Sequence, residues 1–242
     1  MKISLAQIKP VKGDIEANLL IHKNYIRQAA QAGADCIFFP ELSITSYESA
    51  LAEQLVMKEG DNTLDELQEL SNQLSITIGI GMPIVGREKP RIGMGIFQPF
   101  QSRQCYFKQQ LHSDEFPFFE AGEKQVLITV KDTQIAPAIC YESLQPDHSE
   151  RAYQLGANLY LASVAKSQQG VDKAMAYFPS IARKYSMHVM MVNCIGACDD
   201  FEAAGQTAVW SKEGTLIVQL TNSQQGLVLC QLENEKTTTI FI

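Results

Sequence analysis

No apolar run in this chain reaches the roughly 18–20 residues that a membrane span requires, so no transmembrane segment is expected. Positive charge is also scarce: 20 Lys and Arg against 27 Asp and Glu leave a formal net charge of −7. Nucleic-acid binding needs a basic face. The densest basic stretch, Arg87, Lys89 and Arg91, is interrupted by Glu88 and Pro90 and reads as a solvated loop. Six cysteines in 242 residues are too few for a disulfide framework. Cys194 and Cys198 stand at C-x3-C spacing, but only His188 lies near them in sequence, and no second pair completes a tetrahedral metal set. Gly79-Ile80-Gly81 and Gly93-Met94-Gly95 are incomplete as dinucleotide fingerprints, so no cofactor is expected. There is no Pro/Gly/Ser-rich linker and no short repeat, and residues 1–242 read as one domain. Met1-Lys2-Ile3-Ser4 enters a strand pattern too quickly for a signal peptide, and a cytoplasmic location follows as an expectation.

What is present is a regular alternation of strands and helices. Ile3–Gln7 reads as a strand. Ile15–Gln31 places Leu19, Ile26, Ala29 and Ala30 at helical spacing, with Asp14 as cap and Gly33 as stop. Cys36–Phe39 is a short apolar run, as expected of a strand covered on both faces. Thr63-Leu64-Asp65-Glu66 predicts a capping box for a helix running to about Leu74. Ile76–Ile80, Met94–Phe97, Gln104–Phe107, Val126–Val130 and Ile135–Cys140 read as strands. A helix from about Asp147 to Gly156 follows, then a strand over Leu159–Val164. A helix over Asp172–Ser186 should be kinked or restarted near Pro179, and His188–Asn193 is the next strand. Thr207–Trp210, Thr215–Leu220 and Gly226–Gln231 close the pattern as antiparallel strands. This is an α/β class chain whose sheets carry helices on their outer faces.

Three reactive side chains stand at the ends of apolar strands. Glu41 follows Phe38-Phe39-Pro40, Lys108 follows Cys105-Tyr106-Phe107, and Cys140 follows Ala136-Pro137-Ala138-Ile139. Taken singly they also read as a loop glutamate, a strand-end lysine reaching water, and a buried inert thiol. Taken together they fit one chemistry. A thiol needs a base to become a thiolate, a carboxylate can serve, and a nearby ammonium steadies both the thiolate and a later oxyanion. His112 and His148 lie near these segments and offer a Cys–His dyad as an alternative.

The ordered set of segments resembles the carbon–nitrogen hydrolase (nitrilase-like) superfamily. Phe39-Pro40-Glu41-Leu42-Ser43-Ile44-Thr45-Ser46-Tyr47 looks like its glutamate segment, Lys108-Gln109-Gln110-Leu111 its lysine segment, and Ile139-Cys140-Tyr141-Glu142 its cysteine segment. Glu115 with Phe119, Gly122 and Glu123, then Gly156-Ala157-Asn158 and Val192-Asn193-Cys194-Ile195-Gly196, extend the likeness over nearly the whole chain. Ser46 stands where Gly is common, and Ala182-Arg183-Lys184-Tyr185-Ser186-Met187 departs from the usual helix. The chain also stops soon after the strand Gly226–Gln231.

The resemblance implies a four-layer αββα sandwich, commonly paired into a homodimer, and hydrolysis of a small-molecule amide through a thioester on Cys140. In that picture Glu41 is the base and Lys108 the cation. Glu115 supports Lys108, Tyr47 lines the pocket, and the Tyr141 N–H helps hold the oxyanion. Nitrile hydrolysis, acyl transfer, or a catalytically idle binding subunit are the alternatives. The acyl group is not legible in the sequence. Lys166 is a candidate carboxylate clamp, and Phe116, Phe118 and Phe119 a candidate apolar wall.

Overall fold

The computed structural model describes residues 1–242. The first half begins with β1 (Lys2–Gln7), α1 (Ile15–Gln31), β2 (Cys36–Phe38), α2 (Asp65–Leu74) and β3 (Thr77–Ile84). It continues through β4 (Arg91–Phe97) and β5 (Gln104–Phe107). The second half begins with β6 (Ile128–Val130), β7 (Thr133–Ile139), α3 (Pro146–Gln154), β8 (Leu159–Val164), α4 (Gln168–Tyr185) and β9 (His188–Asn193). After it come β10 (Ile195–Cys198), β11 (Phe201–Ala204), β12 (Ala208–Trp210), β13 (Leu216–Gln219), β14 (Gly226–Gln231) and β15 (Lys236–Phe241).

One sheet runs β15-β14-β1-β2-β3-β4-β5 and the other β13-β12-β9-β8-β7-β6. Each has three parallel strands at its centre, β1-β2-β3 and β7-β8-β9, flanked by antiparallel ones. Strand alternation assigns the faces. Leu159 and Leu161 pack with Ile3, Leu5, Phe38 and Met94 between the sheets, whereas Tyr160 and Ala162 pack outward with Phe178 and Ile181 of α4. On the far side, Ile37, Ile78 and Ile80 meet Ile26 and Ala29 of α1 and Leu67 and Leu70 of α2. The molecule is therefore the four-layer αββα sandwich that the family resemblance implies.

Two local features position what matters later. A Cβ on Gly81 of β3 would stand 2.3 Å from the Pro40 carbonyl oxygen and 2.4 Å from the Leu42 nitrogen. The segment carrying Glu41 thus lies directly on β3, and the Gly-x-Gly pattern there serves close backbone packing rather than phosphate binding. Ser46 has φ of +63° and its hydroxyl is buried without a hydrogen-bond partner.

Several elements differ from the sequence-based expectation. Asp61, not Thr63, caps the turn before α2, accepting from Thr63 N at 3.0 Å, and a 3₁₀ turn over Asn62–Leu64 precedes the helix. α4 starts earlier, at Gln168, and passes through Pro179 unbroken. Its buried face of Val171, Ala174, Phe178, Ile181 and Ala182 outweighs the local cost of the proline. The β10–β11 hairpin and the edge strand β15 were not expected. β15 reads Lys-Thr-Thr-Thr-Ile-Phe, and it is held by full backbone pairing to β14 rather than by an apolar face.

Ser46→Gly should stabilise the fold. The change removes left-handed strain and an unpartnered buried hydroxyl, a gain of about 1 kcal/mol or ~2–4 °C in Tm. Thermal unfolding of both proteins measures it, and a lowered Tm in the variant would contradict the strain assignment.

Candidate active site

Glu41, Lys108 and Cys140 meet at the C-terminal ends of β2, β5 and β7, so the first two come from one sheet and the third from the other. Lys108 is completely buried. Its Nζ donates to Glu41 Oε1 at 2.8 Å and to Glu115 Oε1 at 2.6 Å. Glu115 is fixed in turn. Its Oε1 accepts from the Tyr47 hydroxyl at 2.8 Å and its Oε2 from the His112 N–H at 2.7 Å. The other oxygen of Glu41 accepts from the Ala165 N–H at 3.2 Å, beyond the end of β8. Cys140 has φ of +48° at the start of a 3₁₀ turn, a left-handed conformation that β-strand continuation would not produce. The turn presents its sulfur, 3.6 Å from the Ala165 carbonyl oxygen, to a cavity of about 440 Å³.

The electrostatics follow from burial and charge. Burial raises the proton affinity of Glu41 against the opposing pull of Lys108, and the Cys140 thiol is among the groups acting on it. Burial disfavours the Lys108 ammonium, but Glu41 and Glu115 more than offset this, and its pKa is raised. Burial and then Glu41 push the Cys140 thiol up to about 11, against Lys166 and Lys108. Lys108 thus lies between Glu41 and Glu115 beside the Cys140 thiol, and burial increases the affinity of Glu41 for a proton.

Other residues singled out from the sequence fall as follows. The Tyr141 side chain lies at the cavity rim, its ring edge-on to His112 at 5.3 Å. His148 is no base for Cys140. Its ring nitrogens are engaged by the Tyr106 and Tyr160 hydroxyls at 2.9 and 2.8 Å, and burial pushes its pKa down to about 4. Phe116 and Phe118 are exposed and Phe119 is in the core, so they do not wall this cavity. Its apolar lining comes from Tyr47, Leu144 and Phe201 instead. Phe201 sits on the β10–β11 hairpin, edge-on to Tyr47 at 5.7 Å, and no sequence signal marked it. Cys194 and Cys198 are free and buried with sulfurs 3.8 Å apart, while His188 is held by Glu235 at 3.0 Å.

Glu142 went unassigned in the sequence, although it stands two residues from Cys140. It is fully buried. Its Oε1 accepts from the Tyr106 hydroxyl at 2.5 Å and from Ile139 N–H at 2.7 Å, and its Oε2 from Gln109 and Gln110 N–H at 2.7 and 3.2 Å. This one carboxylate joins the Lys108 loop of one sheet to the Cys140 turn of the other. Burial raises its pKa to about 7. The folded chain therefore keeps a proton that the unfolded chain releases, and this group's contribution to stability declines as pH rises from about 4.5 to about 7. Urea unfolding of wild type and Glu142→Gln between pH 5 and 8 should show wild type losing stability relative to the variant across that window. A difference independent of pH would refute the assignment.

The glutamine-dependent NAD(+) synthetase of Thermotoga maritima is 25% identical over 227 residues, covering 90% of this chain and 39% of that protein. The corresponding enzyme of Aquifex aeolicus is 23% identical, covering 96% of this chain and 42% of its own. The chain thus spans about two fifths of the length of these relatives. An (R)-stereoselective amidase from a Pseudomonas species is 24% identical, with 83% of this chain and 73% of that one covered. Among solved structures, the amidase of Nesterenkonia sp. AN1 in complex with butyramide superposes with a TM-score of 0.85 at 21% identity, covering 95% of this chain and 89% of that one. The carbon-nitrogen hydrolase family model matches residues 2–240. With that match spanning almost every residue, this chain belongs to the carbon-nitrogen hydrolase family.

Proposed function

We propose that this chain hydrolyses a small-molecule amide through a thioester on Cys140, as a single domain over residues 1–242. The observation that carries the reading is the buried Glu41–Lys108–Glu115 cluster beside a thiol that opens onto a cavity. Glu41 takes the thiol proton as sulfur attacks the amide carbon. Lys108, with the Tyr141 N–H, steadies the tetrahedral oxyanion. Glu41 then protonates the leaving amine, and the acyl group remains on sulfur. Water enters, Glu41 takes its proton, and the acid leaves. Glu115 and Tyr47 hold Lys108 in place throughout. A nitrile, or an acyl acceptor other than water, would use the same site.

The Nesterenkonia amidase, caught with butyramide and in another variant with acrylamide added at its active-site cysteine, supports amides as the substrate class. The match to glutamine-dependent synthetases makes the glutamine side-chain amide a second reading. We place the protein in the cytoplasm as a homodimer. No helix is long and apolar enough to cross a membrane, and an exposed Tyr153 on α3 stacks on Tyr185 of α4 at 5.1 Å beside exposed Leu155, a face suited to helix pairing.

Cys140→Ala should fold and lose turnover. With wild type, a panel of amides including glutamine and butyramide should release ammonia, and added hydroxylamine should divert part of the product to the hydroxamate. Acid alone at every hydroxylamine concentration, with no acyl adduct on Cys140 by mass spectrometry, would remove the covalent mechanism. Lys108→Arg keeps the charge but forces a planar fork between two carboxylates in a fully buried space. Its rate should fall at least about tenfold, about 1.4 kcal/mol in barrier. Near-wild-type turnover would show that charge alone suffices.

A further inference from the structure

Lys166 is a lysine the mechanism above does not use. It is 6% exposed, lines the cavity, and forms no salt bridge. Its ammonium instead contacts the Cys140 carbonyl oxygen at 3.3 Å and the Cys140 sulfur at 3.8 Å. A buried cation without a counter-ion is costly, and this one is held there. Asn193, itself fully buried, accepts from the Lys166 N–H at 2.9 Å and donates to its carbonyl at 3.0 Å, and the Ala204 N–H donates to the same carbonyl at 2.9 Å. Gly170, in the first turn of α4, leaves room for the aliphatic stem. A Cβ there would stand 3.1 Å from Lys166 Cβ and 3.2 Å from its Cγ.

Charge balance gives this arrangement a use. Around the sulfur stand Glu41 from the end of β2, Lys108 and Glu115 from the β5 side, the neutral phenol of Tyr47, and Lys166 from the end of β8. Asp114, His112 and Lys173 also line the cavity. When the thiol proton moves to Glu41, the anions are Glu115 and the thiolate. With Lys108 alone, one cation would face two anions. With Lys166 the inner cluster is neutral.

We propose that Lys166 is a further catalytic residue, the counter-cation of the Cys140 thiolate. The proposal rests on Cys140 being the nucleophile. Lys166 holds the thiolate that attacks the amide carbon. On deacylation, water adds to the thioester carbon and gives its proton to Glu41. The oxyanion collapses, the C–S bond breaks with its electron pair going to sulfur, and Lys166 receives that thiolate until Glu41 returns the proton. Of the two lysines, Lys166 opposes the rise in the thiol's pKa more than Lys108 does.

Iodoacetamide alkylation of Cys140, followed by mass spectrometry from pH 6 to 10, tests this without a known substrate. In Lys166→Met the alkylation rate at each pH in this range should fall about tenfold, with Lys166→Arg recovering part of the loss. Gly170→Ala keeps every charge, favours the helix, and crowds the Lys166 stem. It should shift the profile in the same direction by less, and it decides the matter if Lys166→Met fails to fold. Profiles unchanged from wild type in the folded variants would overturn the role of Lys166 and leave Cys140 as nucleophile. Wild-type alkylation no faster at Cys140 than at the other five cysteines would overturn both.

Discussion

Everything at this site depends on one buried ammonium shared by two carboxylates. Removing a lysine from water costs several kcal/mol, and a single partner in the interior repays that only with favourable geometry. Lys108 has two partners, each at hydrogen-bonding distance and each fixed by further bonds: Glu41 by Ala165 N–H, Glu115 by Tyr47 and by the backbone of His112. The arrangement leaves an excess negative charge in a dry environment. That excess makes Glu41 a ready proton acceptor and, without further help, would oppose ionisation of the neighbouring thiol.

Division of the site between two sheets explains its architecture. The first sheet carries the carboxylates and Lys108, and the second carries Cys140 and Lys166. The seam between them is held by polar contacts where strands end. Ser163 Oγ donates to the Phe39 carbonyl at 2.8 Å, and Glu142 bridges the Lys108 loop to the Cys140 turn. Apolar packing between the sheets brings the halves together without specifying register to a fraction of an ångström. These directional bonds supply the finer alignment.

Glu41, Lys108 and Cys140 stood out in the sequence because each breaks an apolar run at the point where a strand must end. A reactive group in that position is either wasted or placed. The layers were legible for the same reason, since fully apolar runs such as Leu159–Val164 imply cover on both faces. What could not be read depends on contacts distant in sequence. Glu142 looks like any carboxylate until its four donors are seen, and Gly170 looks like a helix liability until the Lys166 stem is seen against it. The β10–β11 hairpin and β15 are held by backbone pairing, of β10 with β11 and of β15 with β14, which leaves little trace in side-chain pattern.

The seam also bears on how the protein is made. During synthesis the glutamates and Lys108 emerge first, without a sulfur to activate, and Cys140 emerges later as an ordinary thiol. Neither sheet alone holds the whole cluster. Cys140 joins Glu41 and Lys108 only when the two sheets dock and Glu41 comes to rest against Ala165. A chain whose sheets have not docked therefore carries six free thiols, none of them beside the assembled Glu41–Lys108–Glu115 cluster.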